Sequence, residues 1–190
     1  MKISIKNKKL IAKNSKFSIY YYHLTEKNGE ELENYLVVKP NIDAFNDSGK
    51  MVTGVVIAPV VDNKIGLIRI YRPALDAFLY EFPHGLIESG ETIGYSALRE
   101  LVEETGLSVD TRDFHQLGYI TPDPGIVAAR IQCYAALNCQ YSKPIQHELG
   151  LSGLIFKSES EIERMILSSE IEDAITISVW HKLKLNFNAM

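Results

Sequence analysis

Residues 85–107 read GLIESGETIGYSALRELVEETGL, and the fold is decided by how this stretch is read. A glycine-containing loop leads into one helix. Thr92 is placed to cap its start, because a threonine hydroxyl accepts from an orphan N–H of the first turn. Gly106 is placed to close it, because glycine takes the left-handed conformation without a Cβ penalty. At about 100° per residue, Ala97, Leu98, Leu101 and Val102 share one side with Gly94, which predicts a core-facing stripe. Glu100, Glu103 and Glu104 fall on the other side at i, i+3 and i+4. Like charges at that spacing destabilise a helix by roughly 0.2–0.5 kcal/mol per pair. Arg99 lies beside Glu103 on the wheel and offsets only one of them. Hard divalent cations prefer oxygen ligands, and Mg²⁺ commonly takes one or two carboxylates plus phosphate oxygens. The row is therefore a candidate metal and phosphate site. The competing reading is a solvated acidic face, since glutamate is a common surface helix former.

The whole spacing is Gly85, five residues, Glu91, seven residues, then Arg99-Glu100-Leu101-Val102-Glu103-Glu104-Thr105-Gly106-Leu107. It resembles the Nudix box, Gly-x5-Glu-x7-Arg-Glu-aliphatic-x-Glu-Glu-x-Gly-aliphatic, with no departure at a defining position. The resemblance implies an α/β fold, a Nudix-type α/β/α sandwich around a mixed sheet. It implies hydrolysis of a diphosphate linkage with Mg²⁺, or Mn²⁺, as cofactor. Glu100, Glu103 and Glu104 are then expected to hold the metal, with Glu103 and Glu104 counted as catalytic. His84 is expected to join the metal shell through its backbone carbonyl. Gly85, Glu91, Arg99 and Gly106 are expected to shape the motif, Glu91 by pairing with Arg99 and orienting the glutamates.

The chain of 190 residues is long enough for one domain, or one domain with a small extension. Its net charge of −4 shows no basic excess, so nucleic acid is not an expected partner. The lysine-rich start has no apolar run behind it and does not read as a secretory signal. The apolar run around 55–61 is too short to span a bilayer, so no membrane partner is expected. If 131–139 is one strand, Cys133 and Cys139 lie about 20 Å apart on it and cannot bridge. A reducing, cytoplasmic setting is the expectation.

Residues 1–47 read as a β-rich extension and 48–190 as the main domain. In the extension, 17–25 (FSIYYYHLT) and 34–39 (NYLVVK) are strands around an Asn28-Gly29 turn. The six lysines of the first sixteen residues read as a solvated edge. Residues 40–50 are the candidate linker. Since a hairpin alone is marginal in water, the extension needs something to pack on. Enzymes resembling this one, of the ADP-ribose pyrophosphatase type, carry an N-terminal strand domain in a homodimer, which makes a homodimer the expectation here. Tyr20, Tyr21 and Tyr22 are read as pocket, interface or ordinary strand packing.

Residues 52–61 and 65–70 read as a central hairpin buried on both faces. Arg72 follows it, upstream of Glu81-Phe82-Pro83-His84-Gly85. By resemblance Arg72 and Glu81 are expected at the substrate, where the planar guanidinium meets phosphate oxygens in pairs; an ion pair of Arg72 with Asp76 or Glu81 is the alternative. Residues 121–125 (TPDPG) form a tight loop; by resemblance Pro122, or Pro124 close to it, stands where relatives carry a proline, and Pro124 is expected to wall the substrate's ribose. Ile126 to Arg130 stand where some relatives carry a hydroxyl residue and glutamate, which leaves other sugar nucleotides open. In the polar loop 138–150, Glu148 matches the position of a general base, with His147 a lesser candidate. Ser158 with Glu161 forms a capping box, and a last helix runs over about 173–185. The expected activity is hydrolysis of a nucleoside diphosphate sugar, ADP-ribose first and GDP-mannose as runner-up. A non-catalytic ADP-ribose sensor is the alternative of another class.

Overall fold

The computed structural model describes residues 3–42, 44–45 and 49–187. The candidate linker therefore lies partly outside the described residues. Two compact units divide the chain, Met1–Thr53 with Thr121–Arg130, and Gly54–Ile120 with Ile131–Met190. This differs from a boundary at 47/48: the first unit runs on to Thr53 and recruits the proline loop from far along the chain.

The first unit holds a three-stranded antiparallel sheet, β1 (Ser4–Lys13), β2 (Phe17–Thr25) and β3 (Glu31–Pro40), in that order. β1 is a full strand beyond the expected hairpin. All ten of its residues are exposed, in keeping with its lysines as a solvated edge. The Asn28-Gly29 turn is the tip of a longer loop, closed by Glu26 N–H to Glu30 O at 2.9 Å, with Gly29 left-handed at φ +89°. Residues 123–127 fold on Asp123, whose carboxylate accepts from Gly125 N–H at 3.1 Å. That loop is stitched to β3: Val38 N–H donates to Ile126 O and Ala128 N–H to Val38 O, both at 2.9 Å. The Tyr35 hydroxyl donates to Gly125 O, and Thr53 N–H to Arg130 O at 2.8 Å. A further two-stranded pair joins β4 (Ala44–Phe45) to β5 (Met51–Val52).

The second unit is built on a mixed sheet. Its strands are β6 (Gly54–Val61), β7 (Lys64–Arg72), β8 (Ala77–Glu81), β9 (His84–Leu86), β11 (Phe114–Ile120), β12 (Ile131–Ala136) and β14 (Leu151–Lys157). The order is β11-β12-β6-β7-β14, with β8 on β7 and β9 on β6. Only β12 and β6 run parallel. The β6–β7 turn has Asp62 and Asn63 both left-handed, at φ +49° and +59°, the backbone a tight hairpin needs. β6 and β7 separate after two residue pairs, and β8 and β9 fill the opening. That divergence puts the 81–85 run at the middle of the sheet. Small pieces escape sequence pattern: β10 (Leu107–Ser108) and β13 (Gln140–Tyr141) pair only with each other.

β6 is buried along nearly its whole length, as its unbroken apolar run requires. Val56 and Ala58 join a core with Ile162 and Met165 of α2 (Glu159–Leu167) and Val179, Trp180 and Leu183 of α3 (Ala174–Asn186). By strand alternation, Val55 and Ile57 face the other side, where α1 (Ile93–Thr105) packs on β6 and β9. The result is the expected α/β/α arrangement. Ser158 and Glu161 form the capping box of α2, and Asp173 caps α3. β12 ends at Ala136, so Cys139 lies beyond it; both cysteines are buried and free.

Candidate active site

α1 begins and ends where its caps demand. Thr92 Oγ1 accepts from Tyr95 N–H at 3.3 Å, and Gly106 sits left-handed at φ +70°. Its buried face is not the expected one. Ser96, Ala97, Glu100, Leu101, Glu104 and Thr105 are buried, whereas Leu98 and Val102 are only half-buried. Glu100 is 9% and Glu104 2% exposed. The solvated acidic face is thereby excluded: the face is turned so that two of the three glutamates point inward.

Arg99 does more than offset Glu103. Its Nε and Nη2 grip Glu91 Oε1 and Oε2 at 2.8 and 3.0 Å. Its Nη1 reaches Glu100 Oε1 at 2.8 Å and Glu103 Oε2 at 3.0 Å, and Nη2 also meets Leu86 O at 3.2 Å. The wheel missed this because Glu91 comes from the preceding loop. Hydrogen bonds from Arg99 and Ser96 hold the Glu91 carboxyl down at about 2. Ser96, overlooked in the sequence, donates its hydroxyl to Glu91 Oε2 at 2.5 Å.

The remaining charge sits on Glu100 and Glu104. Burial pushes the Glu100 carboxyl up despite Arg99. Burial also pushes Glu104 up, to about 9, helped by repulsion from Glu148 and Glu100. Glu148, exposed on the 142–150 loop, lies close enough to Glu104 for the two carboxyl groups to repel each other. That loop is pinned to the end of α1 by backbone bonds. Ser142 N–H and Lys143 N–H donate to Gly106 O at 2.9 and 3.2 Å, and Gln146 N–H to Glu103 O at 2.9 Å. Gly106 is needed twice here, since a Cβ on it would also collide with Lys143 O.

Gly85 faces the same carboxylates. A Cβ there would overlap the Glu100 carboxyl group, so the missing side chain leaves the room Glu100 occupies. Next to it, His84 N–H donates to Glu104 Oε2 at 2.8 Å. Arg72, at the end of β7, is bound by Glu81: Nε to Oε1 at 2.9 Å and Nη2 to Oε2 at 2.5 Å. The Glu81 pair, with Glu104 and Asp173 beyond it, pushes the guanidinium pKa up. The fork expected to meet phosphate oxygens in pairs is thus closed on one edge by buried Glu81. The geometry joins Arg72, Glu81, His84, Glu91, Arg99, Glu100, Glu103, Glu104 and Glu148 into one chain of contacts. Pro124 belongs to the other compact unit.

The donor set fits a hard cation. It is all oxygen, two of its carboxylates are buried, and Glu148 adds a third beside them. Among the described residues no three His, Cys, Asp or Glu side chains close into a cage; Arg99 draws Glu103 to itself. Among the described residues no helix is long and apolar enough to cross a membrane.

A family profile described as NUDIX domain matches residues 51–182. The chain is 37% identical over 81 residues to the Methanol dehydrogenase activator of Bacillus methanolicus, covering 43% of each chain. It is 33% identical over 103 residues to the ADP-ribose pyrophosphatase of Bacillus subtilis (strain 168), covering 52% of this chain and 50% of that one. The chain spans about half, or less, of the length of these curated relatives. A crystal structure of an ADP compounds hydrolase matches with a TM-score of 0.80 over 99% of this chain and 95% of that one. At 20% identity that likeness is one of fold.

Proposed function

Since the chain belongs to the NUDIX domain family, we propose that it hydrolyses the diphosphate linkage of a nucleoside diphosphate sugar. ADP-ribose, cut to AMP and ribose 5-phosphate, is the first choice. The relative named as an ADP-ribose pyrophosphatase supports that choice. The observation that carries the reading is the surplus of buried carboxylate at Glu100 and Glu104, with Glu148 against it. A structural helix has no use for such a surplus; a site for a cation with an anionic ligand does.

Glu100, Glu103 and Glu104 are the residues we assign to hold Mg²⁺ or Mn²⁺. The bound ion would neutralise phosphate oxygens and lower the pKa of the attacking water. Glu148 is assigned the proton of that water, being beside Glu104 and open to solvent. As the new P–O bond forms, the bridging oxygen leaves with the electron pair of the broken anhydride bond. Arg72 offers its Nη1 group to the substrate, and Glu81 serves by holding Arg72. Glu91 and Arg99 fix the glutamate row from behind. The all-exposed β1 strand, with Ile5 and Leu10 open, supports the homodimer as part of this proposal.

The test is nucleoside monophosphate release from ADP-ribose, other ADP-sugars and GDP-mannose with Mg²⁺ or Mn²⁺. ADP-ribose should be turned over fastest; preference for GDP-mannose would replace the first choice. Tight ADP-ribose binding without turnover of any diphosphate would mean a sensor. Glu104→Gln should lower kcat by about 10²–10³-fold, the scale of a lost electrostatic contact to the transition state. It should leave the metal-free fold about as stable, because burial and the neighbouring carboxylates already hold the Glu104 carboxyl toward its neutral form there, which glutamine mimics. A variant with the wild-type rate would refute the assigned row.

A further inference from the structure

We propose that the His84 imidazole is a positioning residue that locks the Arg72 guanidinium against Glu81, leaving Nη1 as the group that meets a phosphate oxygen of the substrate. The proposal rests on the reading of the site as one that hydrolyses a phosphoanhydride.

A guanidinium carries five N–H groups and no acceptor. Arg72 gives Nε–H to Glu81 Oε1 at 2.9 Å and one Nη2–H to Glu81 Oε2 at 2.5 Å. The other Nη2–H points to His84 Nε2 at 3.1 Å. Glu81 Oε2, at 3.6 Å, is beyond hydrogen-bond reach of His84 Nε2; since Arg72 can only donate, the contact with it requires Nε2 to carry its lone pair. The ring proton then sits on Nδ1, and Nδ1 is 2.8 Å from the Phe82 carbonyl, which can only accept. One neutral tautomer satisfies both contacts. The two Nη1 N–H groups are left without a partner among the described residues.

Geometry explains why a third hold matters. Two parallel bonds to one carboxylate form a hinge about which the guanidinium plane can swing. The bond to His84 lies off that hinge and fixes the plane, and with it the direction of Nη1. The acceptor is itself anchored. Phe82 N–H donates to Thr176 Oγ1 at 3.0 Å, and the Thr176 hydroxyl donates to Asp173 Oδ2 at 2.7 Å, at the N-cap of α3. The His84 backbone N–H holds Glu104 at 2.8 Å. One residue therefore sets both the cation and a carboxylate, its ring the first and its backbone the second.

The experiment compares wild type, His84→Leu, His84→Gln, Arg72→Ala and the His84→Leu/Arg72→Ala double variant. Leucine keeps bulk without an acceptor; glutamine restores an oxygen near the Nε2 position. His84→Leu should raise KM for the best substrate about tenfold and change kcat less than threefold, the mark of lost uniform binding. His84→Gln should recover most of that loss. Because His84 acts through Arg72, the double variant should be no worse than Arg72→Ala alone. Multiplying effects, or an unchanged KM in His84→Leu, would overturn the proposal. A readout independent of turnover is the ¹⁵N spectrum of the wild-type ring, which should show Nδ1 protonated and Nε2 bare; the opposite tautomer would also overturn it. If wild type cleaves no diphosphate, the reading of the site fails on its own. The same five proteins titrated with ADP by calorimetry then decide the lock: it stands if His84→Leu weakens binding only where Arg72 is present.

Discussion

Gly85→Ala separates the site's chemistry from its stability. The added methyl would overlap the Glu100 carboxyl group, with even the farther oxygen only 2.8 Å from it. An ordinary contact needs about 3.4–4 Å. The clash is with the end of a side chain rather than with backbone, so Glu100 can retreat, but its nearer oxygen, 2.0 Å from the added methyl, must move by about 1.4 Å or more. Retreat strains its 2.8 Å bond to Arg99, which keeps its other partners. Overpacking of this kind costs about 1–2 kcal/mol, or a fall in Tm of roughly 2–8 °C for a chain of this size. The catalytic loss should be larger. A misplacement of 1 Å at a catalytic group can cost on the order of 10²-fold in rate. The assays are nucleoside monophosphate release at saturating Mg²⁺ and thermal unfolding of the same preparation. A folded Gly85→Ala protein with kcat within threefold of wild type would refute the assignment of Glu100 as a ligand held in place by the bare glycine.

Arg99→Lys keeps the charge but loses the fork, and should cost about 2–3 kcal/mol in urea unfolding, because buried Glu100 loses compensation. Glu91 makes a contribution that depends on pH. Its folded pKa of about 2 lies below the ordinary 4.5, so the stability it lends is present above pH 4.5 and is lost as pH falls toward 2. The amount is about 1–2 kcal/mol after allowance for its partial exposure, and Glu91→Gln should remove that part of the acid slope in chemical unfolding. Mg²⁺ at about 100 times its Kd should stabilise the fold by roughly 2.7 kcal/mol, a shift that scanning calorimetry should find lost in Glu104→Gln.

The parts legible in the sequence are those whose physics is local. Thr92, Gly106 and the Ser158–Glu161 box mark helix ends because caps are bonds between near neighbours. Most of the 52–61 run, Gly54–Val61, is a central strand, because burial on both faces leaves no polar position there; Val52 pairs instead in β5, and the run breaks at Thr53. The rotation of α1 was hidden for an equally physical reason. A helix with both apolar and acidic stripes has two faces able to point inward, and only the strands against it decide. The Arg99–Glu91 pair crosses a loop, which no wheel displays; the resemblance alone pointed to it. β10 and β13, two residues each, are too short to carry a pattern.

The path of the chain between β11 and β12 limits how this protein can be cut or recombined. Residues 121–130 leave one compact unit, bond to Val38 and Thr53 in the other, and return as the next strand of the main sheet. Neither unit is a continuous stretch of polypeptide. A deletion of the first fifty-odd residues would strip the bonded partners from a segment that joins the edge strand β11 to its neighbour β12. A crossover that exchanged the leader alone would bring in a β3 edge unmatched to the loop it must receive. The leader and the 121–130 loop fold as one piece written in two places, and substitutions in either should be tolerated only in step with the other.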